Sequence, residues 1–404
     1  MSTKSDERLP LSQVLPPLIL GTATFNKQYH PDPQHMPYAQ IVNRALKCNV
    51  TGFDTSPYYG PSEILLGEAL RQLKPQPPPR ESYFLITKAG RIAGNEFDYS
   101  PAWVRYSVCR SLDRLGTTYL DLVYMHDVEF VSPKEVVTAI KELRKLRDRG
   151  LVRYVGISGY PVETLASLAE LVLRKTGEPL DAVMSYNHYC VQNTSLGDAK
   201  LLQRFKDAGV ECLPNASMLG MGLLTTRGVD NAPMAAWHPA PPALREACKG
   251  LSKVAEKHGK TLENVAIRWA LRNWAHTGAA FGSSAGFNTE TTEDGQIKRS
   301  ETNLPKVGVS VMGVSSLAEF QETWHPWTSV LQSIKDGVPD PRQEKLDAIV
   351  REEMWPSLGD WKNYSWQSGG EGFVNPREVK GVVPDDETSR KWGLLSKRVD
   401  LSKI

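Results

Sequence analysis

A (β/α)8 barrel with a long insertion before strand eight and a C-terminal extension is the fold class that this 404-residue chain predicts. Three observations predict it. Short apolar runs alternate with amphipathic helical stretches along most of the chain, which implies parallel strands joined by crossovers. The second, third and fourth runs end in polar, titratable groups, as a barrel that gathers a site at one mouth requires. The one phrase with dinucleotide-like glycines, Gly220-Met221-Gly222-Leu223-Leu224-Thr225, lacks the third glycine and follows the seventh run, so a Rossmann sheet is rejected.

In chain order the expected strands are Leu18–Gly21, Thr51–Asp54, Phe84–Thr87, Leu120–His126, Tyr154–Ser158, Asp181–Ser185, Val210–Asn215 and Val309–Met312. Between them lie helical patterns such as Ile41–Leu46, Glu63–Leu73, Trp103–Leu115, Pro133–Arg149, Pro161–Lys175 and Leu196–Asp207. The fourth helix carries the fullest set of local signals. Ser132-Pro133-Lys134-Glu135 supplies an N-cap, a proline at the first helical position and an acidic first turn. Val136, Val137, Ile140, Leu143 and Leu146 recur at helical spacing, and Gly150 stops the helix after a basic last turn.

Residues 1–337 form the expected barrel domain and residues 338–404 an extension packed on the barrel or its mouth. Within the barrel, His276 to Lys306 is rich in Gly, Ser, Thr and charge and reads as a long mobile insertion. Trp355, Trp361 and Trp366 in the extension suit either stacking on a sugar ring at the mouth or packing on the outer helices.

Bulk properties exclude several classes. The net charge is +2, with neither a basic stripe for nucleic acid nor an acidic tail. The N-terminus lacks the apolar core of a signal peptide, and every apolar stretch falls short of the roughly 20 residues of a membrane span. Cys48, Cys109, Cys190, Cys212 and Cys248 are isolated and odd in number, without metal-ligand spacing; they read as reduced thiols. The expectation is a cytoplasmic protein, a monomer or weak homodimer, with no nucleic-acid or membrane partner and no metal.

The candidate catalytic residues are Tyr59, Lys88, Asp54 and His126. A phenol with an ordinary pKa of about 10 is a poor acid or base at neutral pH. A nearby ammonium favours the phenolate, a carboxylate holds that ammonium in place, and an imidazole orients a substrate oxygen. The stretch Gly52-Phe53-Asp54-Thr55-Ser56-Pro57-Tyr58-Tyr59-Gly60-Pro61-Ser62-Glu63, with Leu66-Gly67 after it, resembles the aldo-keto reductase signature. Lys88 and His126 follow in that family's order, and the resemblance runs from about Leu18 to about Thr323.

The resemblance implies direct hydride transfer between a nicotinamide and a carbonyl or carbinol carbon. Tyr59 would move the proton, with its pKa depressed by Lys88, and His126 would donate to the reacting oxygen. Gly21 and Thr22 would lie on the nicotinamide side, Ser158 would hold the carboxamide, and Ser217-Met218-Leu219-Gly220 would cradle the pyrophosphate. Two departures stand out: Gly159 where asparagine is frequent, and Val183-Met184-Ser185 where a glutamine is common. The cofactor loop is expected at Gly313-Val314-Ser315-Ser316, not at Gly282-Ser283-Ser284. There Gly313 replaces a usual lysine and Glu319 a common arginine. A carboxylate repels a 2′-phosphate and accepts from ribose hydroxyls, so NAD is preferred, with NADP possible. The alternative for Glu319 is an acidic first-turn residue that complements the helix dipole.

Ser185-Tyr186-Asn187-His188-Tyr189-Cys190-Val191, the phrase from Gly220 to Thr225, and Trp237-His238-Pro239-Ala240 resemble the aldose dehydrogenase branch of that family. The resemblance implies a neutral sugar of the D-arabinose, L-galactose or L-fucose type, oxidised at its anomeric carbon to the lactone. The substrate contacts would be Tyr59, His126 and His188, with a buried structural role as the alternative for His188. Two other readings stay open: an NADPH-dependent aldehyde or ketone reductase, and a non-catalytic, cofactor-sensing regulatory subunit.

Overall fold

The computed structural model describes residues 8–287, 304–338 and 340–395. Eight parallel strands close into a barrel in sequence order. They are β1 (Leu18–Gly21), β2 (Gly52–Asp54), β3 (Phe84–Ala89), β4 (Leu120–His126), β5 (Val152–Gly159), β6 (Ala182–Tyr186), β7 (Asn215–Ala216) and β8 (Ser310–Gly313). The helices between them are α1 (Tyr38–Lys47), α2 (Ser62–Arg71), α3 (Pro101–Leu115), α4 (Pro133–Arg147), α5 (Val162–Thr176), α6 (Ala199–Asp207), α7 (Pro242–Lys257) and α8 (Leu262–Thr277), with α9 (Leu317–Asp336) after β8.

Period-two alternation explains why the strands read as unbroken apolar runs. Phe84, Ile86, Leu122 and Tyr124 fill the barrel interior, while Leu85, Ala89, Val123 and Met125 face the helices. At the N-terminal end of the barrel, Leu11 and Leu15 of a short helical turn join the interior cluster. Glu211 fixes that turn by accepting from the Leu11 and Ser12 amides at 3.0 and 2.9 Å. The plugged end leaves the opposite, C-terminal mouth for a site.

Helix α4 has the full capping box: the Glu135 amide donates to Ser132 Oγ, and the Ser132 amide to Glu135 Oε2 at 3.0 Å. The seventh strand is shorter than Val210–Asn215. Pro214 has no N–H to donate, so the ladder holds only at Asn215 and Ala216, with an isolated bridge from Cys212 to Ala182.

The stretch expected as a mobile insertion is partly built into the barrel. Helix α8 continues through Thr277, Phe281 is buried, and Ser283 bridges Val307. Ser284 donates its amide to Ser12 at 2.9 Å, so Gly282-Ser283-Ser284 belongs to the plugged end. Residues 288–303 lie outside the described residues.

Helix α9 stops at Gly337, which takes a left-handed φ of 65°. The extension then opens with α10 (Pro341–Ile349), held on α8 by the Arg272–Asp347 ion pair. Residues 363–375 cross the mouth, and the described residues end against α3, where Tyr106 donates to Asp386 at 2.6 Å.

Candidate active site

Each strand end delivers one piece of the mouth. Asp54 ends β2, Lys88 lies near the end of β3, His126 ends β4 and Ser158 pairs with His126 across the β4–β5 ladder. Lys88 is 1 % exposed and Asp54 4 %, a depth at which an ammonium needs a partner. Lys88 Nζ donates to Asp54 Oδ1 at 2.6 Å and to the Thr55 carbonyl at 2.9 Å. Burial raises the Asp54 carboxyl above its usual value, and the Lys88 ammonium pulls it partly back.

Tyr59 stands on the loop after β2 with its ring face 4.8 Å from Lys88 Nζ. Its ring meets that of His126 edge-on at 5.8 Å. Four residues separated by up to 72 positions thus converge at one mouth. The net effect on the Tyr59 phenol runs opposite to the depression expected from Lys88. Burial pushes it well above its ordinary value, Asp54 and Asp127 add to the effect, and Arg91 opposes it. The ammonium spends two of its three donors on Asp54 and Thr55, and it faces the ring.

His126 is neutral at physiological pH, because burial lowers its pKa to about 3 against the pull of Asp127. Ser56 lies beside one nitrogen of the ring. Its Oγ accepts from the Tyr58 amide at 3.1 Å and lies 3.1 Å from His126 Nδ1. A Ser56 hydroxyl donating to Nδ1 would leave the hydrogen on Nε2. Tyr99 donates to the His126 carbonyl at 2.6 Å and holds the strand end.

Other expected site residues have their hydrogen bonds within the protein. The Thr22 hydroxyl donates to the Asp54 carbonyl at 3.0 Å and lies 2.6 Å from Ser62 Oγ. Gly21 is small because a Cβ would meet Val311 Cγ1 at 2.9 Å. Ser158 is 2 % exposed, with its hydroxyl 3.4 Å from the Met125 carbonyl. Ser217 takes a left-handed φ of 59°, and Leu219 opens the tight turn at Gly220–Gly222. Ser316 caps α9, and Glu319 folds back to accept from the Ser315 amide at 2.7 Å and from its hydroxyl. Glu319 is the acidic residue of the first turn of α9.

His188 is a buried strut. Its Nδ1 accepts from Ser185 or donates to the Tyr186 carbonyl, at 3.2 and 3.0 Å, and Nε2 meets Ser365 Oγ at 3.2 Å. Both nitrogens are committed, so the structural alternative replaces the substrate contact expected of it. Trp366 stacks on Tyr160 at 4.6 Å, and Trp355 donates to the Val191 carbonyl at 3.0 Å. These tryptophans pack the extension against the mouth.

Ser56, Arg91, Asp127 and Glu129 are site residues that the sequence reading passed over. Glu129 is 8 % exposed and accepts from the Tyr160 amide at 3.0 Å and from Ser368 of the extension at 2.8 Å. Burial and the neighbouring Asp127 push its carboxyl up to about 8.

A closed eight-stranded barrel with Asp54, Tyr59, Lys88 and His126 at its C-terminal mouth is an oxidoreductase scaffold, and residues 17–333 match the model of the aldo/keto reductase family. The chain belongs to that family. It is 40 % identical over 264 residues to the D-arabinose 1-dehydrogenase of Saccharomyces cerevisiae, covering 65 % of this chain and 77 % of the relative. It is 34 % identical over 298 residues to the L-galactose dehydrogenase of Arabidopsis thaliana, covering 73 % of this chain and 84 % of the relative. A probable aldo-keto reductase 1 of Glycine max is 29 % identical over 251 residues, covering 57 % and 66 %. Among the described residues no helix is long and apolar enough to cross a membrane.

Proposed function

We propose that this enzyme oxidises the anomeric carbon of a neutral aldose, of the D-arabinose, L-galactose or L-fucose type, to its lactone with NAD. The observation that carries the reading is the convergence of the neutral His126 imidazole with Tyr59 and the buried Lys88–Asp54 pair. The two sugar dehydrogenases among its relatives supply the substrate class.

The residues present fit a nicotinamide dinucleotide. A Cβ on the exposed Gly313 would meet only Thr24 Cγ2, at 3.5 Å, so backbone at the β8 end is approachable. The 20-residue α9 directs its N-terminus to the same loop, a ready site for ribose and phosphate oxygens. Gly313, Ser315 and Ser316 would hold that end, Ser217 and Leu219 the middle, and Gly21, Thr22 and Ser158 the nicotinamide end. Glu319, which accepts from the Ser315 amide, supports NAD, because its carboxylate would repel a 2′-phosphate bound at that loop. When bound, the nicotinamide supplies a carbon that accepts hydride in oxidation and returns it in reduction.

In oxidation, the C1–H bond breaks as hydride leaves, and the hydroxyl proton passes to the Tyr59 phenolate. His126 Nε2–H donates to the same oxygen and orients it. Lys88 holds positive charge against the Tyr59 ring, and Asp54 keeps that ammonium in place. A second reading, carbonyl reduction, is favoured by one observation: a phenol held well above its ordinary pKa is protonated at neutral pH and so ready to give its proton.

Initial rates with D-arabinose, L-galactose and L-fucose, each with NAD and NADP, test the proposal. NAD reduction with at least one sugar is the expected result. NADPH oxidation with simple aldehydes and no sugar turnover would overturn both the substrate and the cofactor.

A further inference from the structure

Arg91 leaves β3 just past Gly90 and lies flat over the Tyr58 ring, 3.9 Å from its centre. It donates to the Gly94 carbonyl at 2.7 Å and pairs with Asp127 Oδ2. Asp127 follows His126 directly, is 1 % exposed, and takes a left-handed φ of 55° that a non-glycine residue rarely adopts. The oxygen that Arg91 holds is also the one facing the imidazole: Asp127 Oδ2 lies 3.6 Å from His126 Nε2, just outside hydrogen-bonding distance. The other carboxylate oxygen is buried without a partner. A carboxylate this close to an imidazole N–H would ordinarily capture it and stabilise the imidazolium.

We propose that Arg91 is a positioning residue for His126: by occupying Asp127 it denies that carboxylate the imidazole, so Nε2–H remains directed at the substrate oxygen and uncharged. The inference rests on the reaction proposed above for the destination of that N–H. Every charged or titratable group around the ring fits it. Lys88, with Asp54 behind it, and Arg91 oppose a positive imidazole; Tyr58 and Tyr59 present ring edges and faces; Tyr99 binds the backbone carbonyl; Glu129 lies behind Asp127. Asp127 is the one neighbour that favours protonation. Its φ fixes it beside the ring, so the pair with Arg91, rather than distance, keeps the two apart.

Ring nitrogen NMR of the ligand-free, full-length protein tests this. Arg91→Met keeps the aliphatic stem over Tyr58 and removes the charge; the Arg91→Met/Asp127→Asn double variant removes the carboxylate as well. Wild-type His126 should stay neutral from about pH 8 down to about pH 5, and in Arg91→Met its titration should move up by at least about two pH units, towards the ordinary imidazole range. The kcat/KM of Arg91→Met should acquire a matching acidic limb, and the double variant should lose both changes. An unmoved His126 titration in Arg91→Met overturns the proposal. So does a uniform loss of activity at every pH with the ring still neutral, the mark of a merely structural role. If Arg91→Met does not fold, Arg91→Lys takes its place: a smaller upward shift supports the proposal and none overturns it. Because the titration is read without substrate, failure of sugar turnover leaves this test intact.

Discussion

The Glu129 carboxylate occupies the space that a Cβ on Gly159 would need. The two residues sit at the ends of neighbouring strands, Gly159 closing β5 and Glu129 on the loop after β4. This explains why Gly159 departs from the asparagine frequent in the family. Gly159→Asn should destabilise the protein by about 1–3 kcal/mol, the usual penalty for overpacking a closed site. Thermal unfolding measures it. An unchanged melting temperature would show that Glu129 swings away without cost.

Glu129 also links the extension to pH. Its folded carboxyl titrates near 8 against an ordinary 4.5, so the folded state binds more protons than the unfolded state between those values. The stability it contributes is present below the lower value and is lost as pH rises through the higher one. Urea unfolding midpoints should therefore fall across that window, and Glu129→Gln should flatten the decline. A slope that survives the substitution would assign it to another group.

Lys88 and Asp54 form a pair that neither can leave alone. Lys88→Met strands a buried carboxylate, and breaking such a pair costs about 3–5 kcal/mol. Adding Asp54→Asn should recover much of that stability, and turnover should stay lost because the charge beside Tyr59 is gone. Calorimetry and steady-state rates on the two variants separate the effects. Turnover restored in the double variant would remove Lys88 from the chemistry.

How much of this was legible in the sequence depended on where the information lay. Tyr59, Lys88, Asp54 and His126 were readable because each follows an apolar run, and strand ends are where a barrel presents side chains. The start of β7 misled because Pro214 interrupts the ladder inside an apolar run. Ser56 and Glu129 were missed because their partners, His126 and Ser368, lie 70 and 239 residues away. Arg91 and Asp127 did leave a signal. The β3–β4 register pairs Ala89 with Met125, so the next position but one on each strand sets Arg91 beside Asp127. His188 misled for a different reason: a histidine in a sugar-like motif serves equally as ligand or strut, and only Ser365, far along the chain, decides it.

Ser56 offers a test of the His126 tautomer. Ser56→Ala removes the hydroxyl beside Nδ1, and a proton that Ser56 had fixed on Nε2 then occupies either nitrogen. The loss in kcat/KM should be roughly 2–10-fold, matching a net hydrogen bond of about 0.5–1.5 kcal/mol. Ring nitrogen shifts should report a mixture in place of one tautomer. A single Nε2–H form in the variant would mean that some other contact sets it.

The raised pKa of Tyr59 fixes the sign of the pH–rate profile. Oxidation needs the phenolate, and reduction needs the phenol. Because burial and the Asp54 and Asp127 carboxylates hold the phenol above its ordinary value, the phenolate is scarce at neutral pH. The kcat/KM for sugar oxidation should therefore climb with each step from neutral to alkaline pH, until Tyr59 or the fold itself titrates out. Reduction in the reverse direction should be flat near neutral pH and fall on the alkaline side. Tyr59→Phe should lower both by about 10²–10⁴-fold, the range for loss of a general acid–base group, and abolish the alkaline rise. Cofactor binding, followed by fluorescence quenching, should survive, because the phenol is the proton carrier and the proposed cofactor contacts lie on other strands. An oxidation rate that is independent of pH, or a Tyr59→Phe variant with wild-type turnover, would take Tyr59 out of the proton path and pass that role to His126.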